Sequence, residues 1–400
     1  MTDFDIDHAL PDTVRTELRR GVTSVLVDTA ALRQVRERFD TEQSTALGRY
    51  LTASQSPNTL RAYRTDWIAW AAWCATESRC ALPADPLDIA VYLAAAADAR
   101  TTDGRHAYGP ATLERKSAAI AAVHAANGLP APTRSDVVRL TLRGIRRTRR
   151  ARPDRKRPIL LHTLTELLAG LPEPGWPGEP ARRRDTLLLL LGFAGALRRS
   201  ELAGLRIADI QFGTDHGTGE PLLVIHLPTT KTDPTGITEQ QVALPRGRQA
   251  PTCPICACAD WLRLLAAHTE NPRRVRDWIA DLPTGDPHIH RCHGYALDTR
   301  LAPDRALFPA INRHGGLGTT PLSGRAVAEI VKRYAARAGL DPALFSGHSL
   351  RAGFATQAAL GGAADREIMR QGRWSNPRTV HRYIRTADPL ADNAVTKLGL

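Results

Sequence analysis

The chain has 400 residues, enough for two or three domains that each bury a core, and its 42% hydrophobic and 24% charged content is that of an ordinary globular protein. Its formal net charge of +13 favours a polyanionic partner, with simple solubility as the plainer alternative. No apolar run is long enough to span a bilayer, the acidic and polar start is no secretory signal, and six cysteines in so long a chain do not read as a disulfide framework, so a reducing cytoplasm is the expected compartment. Nucleotide-driven motors, dehydrogenases and zincins are disfavoured too, because no Walker-type loop, Rossmann glycine fingerprint or HExxH motif is present.

Residues 1–47 form an N-terminal extension of short helical patterns and acids, to which no role is assigned. At Ser56, Pro57 and Asn58 cap chemistry opens a helix, along which Leu60, Tyr63, Trp67, Trp70 and Trp73 recur at helical spacing. This stripe reads as a packed core face, with a platform for stacked bases as the alternative. Further helices are predicted over 86–99, 110–126 and 135–147. Residues 48–150 are therefore expected to fold as a small all-helical domain.

The most basic stretch follows. Arg143, Arg146, Arg147, Arg149, Arg150, Arg152, Arg155, Lys156 and Arg157 stand against a single acid, Asp154. Such a run is usually a solvated tail or face. Here it lies between two folded segments, which suits a basic linker, residues 151–157, laid along phosphates. Arg146, Arg147, Arg149, Arg150, Arg152, Arg155, Lys156 and Arg157 are the expected DNA-contacting set.

From Pro158 the pattern changes. A helix is predicted over 163–171 and a strongly apolar one over 181–196, built on the leucines from Leu187 to Leu191. Strand-like runs follow at 208–212, 222–227 and 241–244, with Asp- and Gly-rich turns between them. Most of the remainder is helical. The expected fold is mainly α with a small antiparallel β-sheet: a helical first domain, then a mixed α+β domain over 158–400.

Four segments of the second domain carry candidate chemistry. They are Arg198 with Ser200 and Glu201 at the end of the apolar helix; Lys231 after a strand; Gly347-His348-Ser349-Leu350-Arg351; and Gly372-Arg373-Trp374 followed by Tyr383. Alone, each has a bland reading: a helix start, an exposed strand edge, two polar residues on one helix face, a packed tyrosine. Together, in the order Arg198, Lys231, His348, Arg351, Trp374, Tyr383, they resemble the tyrosine site-specific recombinase family, which includes the phage integrases, the Xer recombinases and Cre. The resemblance covers the whole second domain, and the helical first domain fits the family's core-binding domain.

The residue types suit metal-free phosphodiester cleavage, which needs an in-line nucleophile, charge neutralisation and a proton for the leaving oxygen. Arg198 and Arg351 offer permanently charged planar forks for phosphate oxygens. A phenol, with an ordinary pKa near ~10, needs a base, and His348 is the candidate, or else a donor to the phosphate. The resemblance makes Lys231 the general acid to the leaving 5′ oxygen and Tyr383 the nucleophile of a 3′-phosphotyrosyl intermediate. Trp374 stands where many members have a second His; its indole N–H can donate but cannot shuttle a proton. Glu201 is placed to hold an arginine or His348, or is an ordinary first-turn acid. No cofactor is required by such a mechanism.

The stretch 246–307 is longer than the family pattern needs. It carries Cys253, Cys256 and Cys258, then His288, His290, Cys292 and His293. Thiol and imidazole ligands at such spacings can hold structural zinc; incidental or buried apolar cysteines are the alternative. The tail from Ala387 to Leu400 either docks on a neighbouring subunit, as in the family, or packs on its own domain.

The resemblance implies double-stranded DNA with specific recombination sites as the partner, a homo-tetramer on that DNA, no membrane, and integration, excision or resolution of a mobile element or replicon as the role. A type IB topoisomerase using the same constellation and a non-catalytic DNA-binding protein are the competing readings.

Overall fold

The computed structural model describes residues 40–43, 46, 50, 56–149, 156–228, 240–272, 275–280, 288–387, 395 and 398. Lys231, Arg150, Arg152, Arg155 and nearly all of the extension 1–47 lie outside the described residues. The chain divides into two compact units, Met1–Asp154 and Arg155–Leu400.

The first unit is helical: α1 (Pro57–Thr76), α2 (Pro86–Asp98), α3 (Pro110–Ala126) and α4 (Asp136–Thr148). Proline opens α1 to α3, where its missing N–H costs nothing. Ser56 and Asp85 cap α1 and α2 by accepting the Thr59 and Leu87 N–H groups at 3.1 and 2.7 Å. The three tryptophans of the α1 stripe are core, whereas Leu60 and Tyr63 are half-buried outside that cluster. Trp67 and Trp70 are buried with Ile89, Leu93, Leu113 and Ile120, and Trp73 packs against them half-buried. Trp70 stacks on Trp73 at 5.5 Å and donates its indole N–H to Ala81 O at 3.1 Å. Asp66, 2% exposed, is held by Arg115 at 2.8 Å and by the buried Lys116 at 3.6 Å, so the buried charges compensate one another.

The second unit has nine helices among the described residues: α5 (Leu161–Ala169), α6 (Glu179–Ala194), α7 (Arg199–Gly204), α8 (Pro254–Glu270), α9 (Val275–Ala280), α10 (Gly324–Arg337), α11 (Gly347–Leu360), α12 (Asp365–Gly372) and α13 (Pro377–Ala387). β1 (Ile210–Thr214), β2 (Pro221–Leu227) and β3 (Gln240–Pro245) form an antiparallel sheet in the order β1-β2-β3, with Ile210 opposite Ile225 and Ile225 opposite Val242. Leu223, Ile225 and Leu227 alternate inward on β2, as do Val242 and Leu244 on β3. The first strand begins two residues later than its sequence pattern suggests. Ile207–Asp209 is a 3₁₀ turn instead, because the Asp209 carboxylate accepts the Arg206 N–H at 2.8 Å. β4 (Pro309–Ile311) and β5 (Leu317–Pro321) make a separate antiparallel pair.

Helix α6 runs through the core. Leu187 to Leu191 are all essentially buried, so the helix is covered on every side, chiefly by α8 and α11. Two glycines permit the approach of neighbours. A Cβ on Gly192 would lie 2.6 Å from Leu350 Cδ1, and one on Gly353 would lie 1.8 Å from the Ile159 carbonyl oxygen. Buried Asp185 accepts from Tyr334 Oη at 2.6 Å and from Arg184 at 2.8 Å, which fixes α10 against α6. Residues 157–159 run extended beside the start of α11, where Arg157 N–H donates to Leu344 O at 2.7 Å and Ile159 N–H to Ser349 O at 3.0 Å. Among the described residues, no helix is long and apolar enough to cross a membrane.

Candidate active site

The floor of the site forms where α6 stops. Gly195 ends the helix, and Ala196 turns the chain with φ +47°, a left-handed conformation that costs a non-glycine residue of order 1 kcal/mol. The turn aims carbonyls into the site. Ala196 O accepts from Arg351 Nη1 and, at 3.3 Å, from Arg373 Nη2, while Gly195 O accepts from Arg373 Nη1 at 3.2 Å. Two residues on, Arg198 takes the N-cap position of α7, and its N–H donates to Glu201 Oε2 at 2.8 Å.

Glu201 joins two arginines. It accepts from Arg198 Nη1 at 2.5 Å and from Arg373 Nη2 at 2.9 Å. Burial alone would raise its pKa, but Arg373 and the bonds from Arg198 outweigh it and hold the carboxyl below its ordinary value. Arg373, missed as a site residue in the sequence, caps α12 with φ +54°, ψ +46°. It is visible there only as the residue between Gly372 and Trp374. Gly372 is required by the same turn, since a Cβ would fall 1.8 Å from the Trp374 ring.

Helix α11 supplies the next pair. Ser346 caps it by accepting the His348 N–H at 3.2 Å, and Ser349 returns the bond by accepting the Ser346 N–H at 3.0 Å. His348 and Arg351, three apart, then share a helix face. Arg351 is only 2% exposed and donates to Ala196 O and Gly372 O. The Trp374 ring lies over its guanidinium at 4.2 Å, a cation–π contact. Burial, then Arg198 and Arg373, push the Arg351 pKa down to about 9, which leaves it charged at neutral pH.

Tyr383 arrives on α13. That helix is tied to α12 by a hydrogen bond between His381 and Asp365, and Val380 packs it on Ile368 and Ala355. The Tyr383 hydroxyl is 2.7 Å from His348 Nε2, and its ring lies 5.9 Å from that of Trp374. Desolvation, then the charges of Arg351, Arg198 and Arg199, lower the His348 pKa, so its imidazole is neutral and able to accept a proton. Arg198, Glu201, His348, Arg351, Trp374 and Tyr383 are therefore linked into one constellation. Residues 229–239 between β2 and β3, which include Lys231, lie outside the described residues. β3 itself is tied to the site by Gln371, whose amide donates to Ala194 O at 3.1 Å and Ala243 O at 3.4 Å.

The arrangement offers a nucleophilic phenol, an adjacent base, and guanidinium charges whose positions are fixed by a buried carboxylate and by carbonyls. Such a set suits attack on a phosphodiester without a metal.

The basic residues divide. Arg146 and Arg147 project from α4; Arg146 pairs with Glu114 at 3.2 Å, and Arg149 donates to Tyr108 O at 3.0 Å. Lys156 and Arg157 are exposed at the start of the second unit, and Lys156 Nζ donates to Ala343 O at 2.7 Å.

Of the seven Cys and His residues proposed as ligands, four converge: Cys253, Cys256, His290 and Cys292. The wider set is corrected on three members. Cys258 follows Cys256 by two residues, which turns its side chain to a different face of α8, into the apolar core, where burial pushes its thiol pKa up. His288 and His293 are exposed, and His293 approaches Glu220 at 4.0 Å instead.

Residues 295–389 match the phage integrase family. Over 353 residues the chain is 34% identical to an integrase/recombinase XerD homolog of Selenomonas ruminantium, covering 88% of each chain. Over 334 residues it is 28% identical to the recombinase Cre of Escherichia phage P1, covering 80% of this chain and 81% of that one. Among solved structures, the XerH site-specific recombinase bound to palindromic difH substrate in a post-cleavage complex aligns over 95% of this chain and 93% of that chain, at 15% identity and a TM-score of 0.49.

Proposed function

The chain belongs to the phage integrase family of tyrosine recombinases, enzymes that cleave and rejoin DNA without a nucleotide cofactor, and we propose that it is a site-specific recombinase whose nucleophile is Tyr383. The observation that carries the reading is the 2.7 Å contact between the Tyr383 hydroxyl and His348 Nε2, beside the guanidiniums of Arg198 and Arg351.

The proposed steps rest on that geometry for His348, Arg198, Arg351 and Trp374, and on the family resemblance for Lys231. Neutral His348 accepts the phenol proton as the Tyr383 oxygen bonds to phosphorus. Arg198 and Arg351 stabilise the non-bridging oxygens; a guanidinium has five N–H donors, so the two carbonyl bonds of Arg351 leave others for phosphate. Trp374 holds the Arg351 plane and offers its indole N–H to the same phosphate. The P–O5′ bond breaks, and Lys231 supplies the proton that the leaving 5′ oxygen takes up. The product is a 3′-phosphotyrosyl bond and a free 5′ hydroxyl. Attack by a 5′ hydroxyl from a second duplex reverses each step and rejoins the strands, with no net bond energy consumed.

The remaining assignments belong to the same proposal. Residues 48–150 act as a core-binding domain, with the arginines of α4 and the basic run 151–157 on DNA phosphates. The assembly is a tetramer on two specific sites, and the role is integration, excision or resolution. The recombinase names of both relatives favour this reading over a monomeric topoisomerase.

The test is recovery of covalent protein–DNA adducts from source cells lysed in denaturant, with sequencing of the attached DNA. Wild-type protein should yield adducts at discrete sites. Tyr383→Phe should yield none, yet still retard DNA carrying those sites. Undiminished adducts from Tyr383→Phe would show that another residue attacks.

A further inference from the structure

Three thiols and one imidazole converge on elements that hold none of the active-site residues. The Sγ atoms of Cys253, Cys256 and Cys292 and a ring nitrogen of His290 all lie within 4.8 Å of one another. His290 Nδ1 is 3.4 Å from Cys256 Sγ and 3.9 Å from Cys292 Sγ. A tetrahedral ion with metal–sulfur bonds of about 2.3 Å spaces its donors roughly 3.5–3.8 Å apart, so these atoms need move little to close around one.

The backbone is arranged for the same purpose. Cys253 is the N-cap of α8 and Cys256 lies in its first turn, so the two sulfurs share a face at the helix end that favours thiolates. Two N–H groups point at sulfur: Gly247 N–H to Cys253 Sγ at 3.3 Å and Arg291 N–H to Cys256 Sγ at 3.4 Å. Gly247 can come this close only as glycine, since a Cβ would lie 2.8 Å from Cys253 Cα. All three cysteines are 4% exposed or less. A disulfide would use two of the thiols and leave the third and the imidazole unexplained.

We propose that Cys253, Cys256, His290 and Cys292 form a structural Zn²⁺ site. Three soft thiolates and one imidazole in a tetrahedral arrangement select zinc over hard cations. Four protein donors leave no open position for water or substrate, so the site is structural rather than catalytic. Its effect follows from what it joins. The ion pins residues 290–292, which among the described residues 288–308 belong to no regular helix or strand, to the start of α8. The same stretch then reaches α7 and the turn after it, where Leu307 N–H donates to Leu205 O at 2.8 Å and Ile207 N–H to Arg305 O at 3.0 Å. Zinc thus staples residues 290–292 to α8, and residues 305–307 further along are bonded to the turn after α7, the helix that carries Glu201.

The experiment uses the full chain, purified under reducing conditions from cells grown with zinc and without metal-affinity resin. Elemental analysis should find one zinc per chain, released by a thiol-directed mercurial. Zinc-edge X-ray absorption of the wild-type protein should show three sulfur neighbours and one nitrogen. Cys256→Ser and Cys292→Ser should each lose most of the metal, whereas His288→Ala and His293→Ala should keep it. Because a serine variant can fail to fold, the absorption spectrum of the wild-type protein decides independently. Less than a tenth of a zinc per chain, a shell without sulfur, or a Cys253–Cys256 disulfide in the freshly reduced and purified protein would each overturn the site.

Discussion

Glu201→Gln removes one negative charge from a pocket where it faces two guanidiniums. The Glu201 side chain is 4% exposed, that of Arg373 7% and that of Arg198 19%, so solvent screens the pairs little. Breaking a buried pair by deleting one partner costs about 3–5 kcal/mol, because the remaining charge stays buried. Glutamine keeps an amide oxygen for the Arg198 N–H, which places the expected loss near the lower end, about 3 kcal/mol. For a unit of this size that is a fall in Tm of roughly 6–12 °C by calorimetry. The freed Arg198 should also lose its fixed orientation toward phosphate, and single-turnover cleavage should fall roughly 10- to 100-fold, equivalent to about 1.4–2.7 kcal/mol of transition-state stabilisation. The pH dependence has a definite sign. The folded-state pKa of Glu201 lies below its ordinary value of 4.5, so its stabilisation is complete above pH 4.5 and is lost as the pH falls through the folded value. The Tm gap between wild type and Glu201→Gln should therefore narrow only below pH 4.5. A variant within about 1 °C and twofold of wild type would refute the reasoning and return Glu201 to the status of an ordinary first-turn acid.

Three other outcomes are expected. The cleavage rate should stay level through neutral pH and decline only below the ordinary histidine value of 6.5, since the site lowers the His348 pKa; an acid limb above 6.5, or one that survives in His348→Ala, would remove His348 as the base. Lys231→Ala should cut normal DNA slowly but regain most of its rate on a substrate with sulfur at the bridging 5′ position, where no proton is needed, while Arg198→Ala regains little; equal rescue of both would take Lys231 out of the general-acid role. Gly353→Ala should destabilise the second unit by about 3 kcal/mol, because its Cβ would meet the backbone carbonyl of Ile159 rather than a side chain that can rotate away; an unchanged denaturation midpoint would show that the 157–159 segment yields freely.

The order of the candidate catalytic residues, the apolar helix built on Leu187–Leu191 and the strand runs of β2 and β3 were all legible in the sequence. Each rests on local periodicity or on a motif a few residues long, and those signals survive without knowledge of the fold. The tryptophans of the α1 stripe also read correctly as core, because helical spacing puts Trp67, Trp70 and Trp73 on one side of that helix. The sequence was less informative where a local hydrogen bond competes with strand propensity, as at Asp209, which turns the chain before β1 begins. Only the tertiary structure joined Glu201 to Arg373 across 172 residues, and only it separated Cys253, Cys256, His290 and Cys292 from Cys258, His288 and His293. Those partnerships depend on how α6, α8 and α11 pack around one core and α11, α12 and α13 around a second, and that packing is a property of the whole domain rather than of any window of sequence.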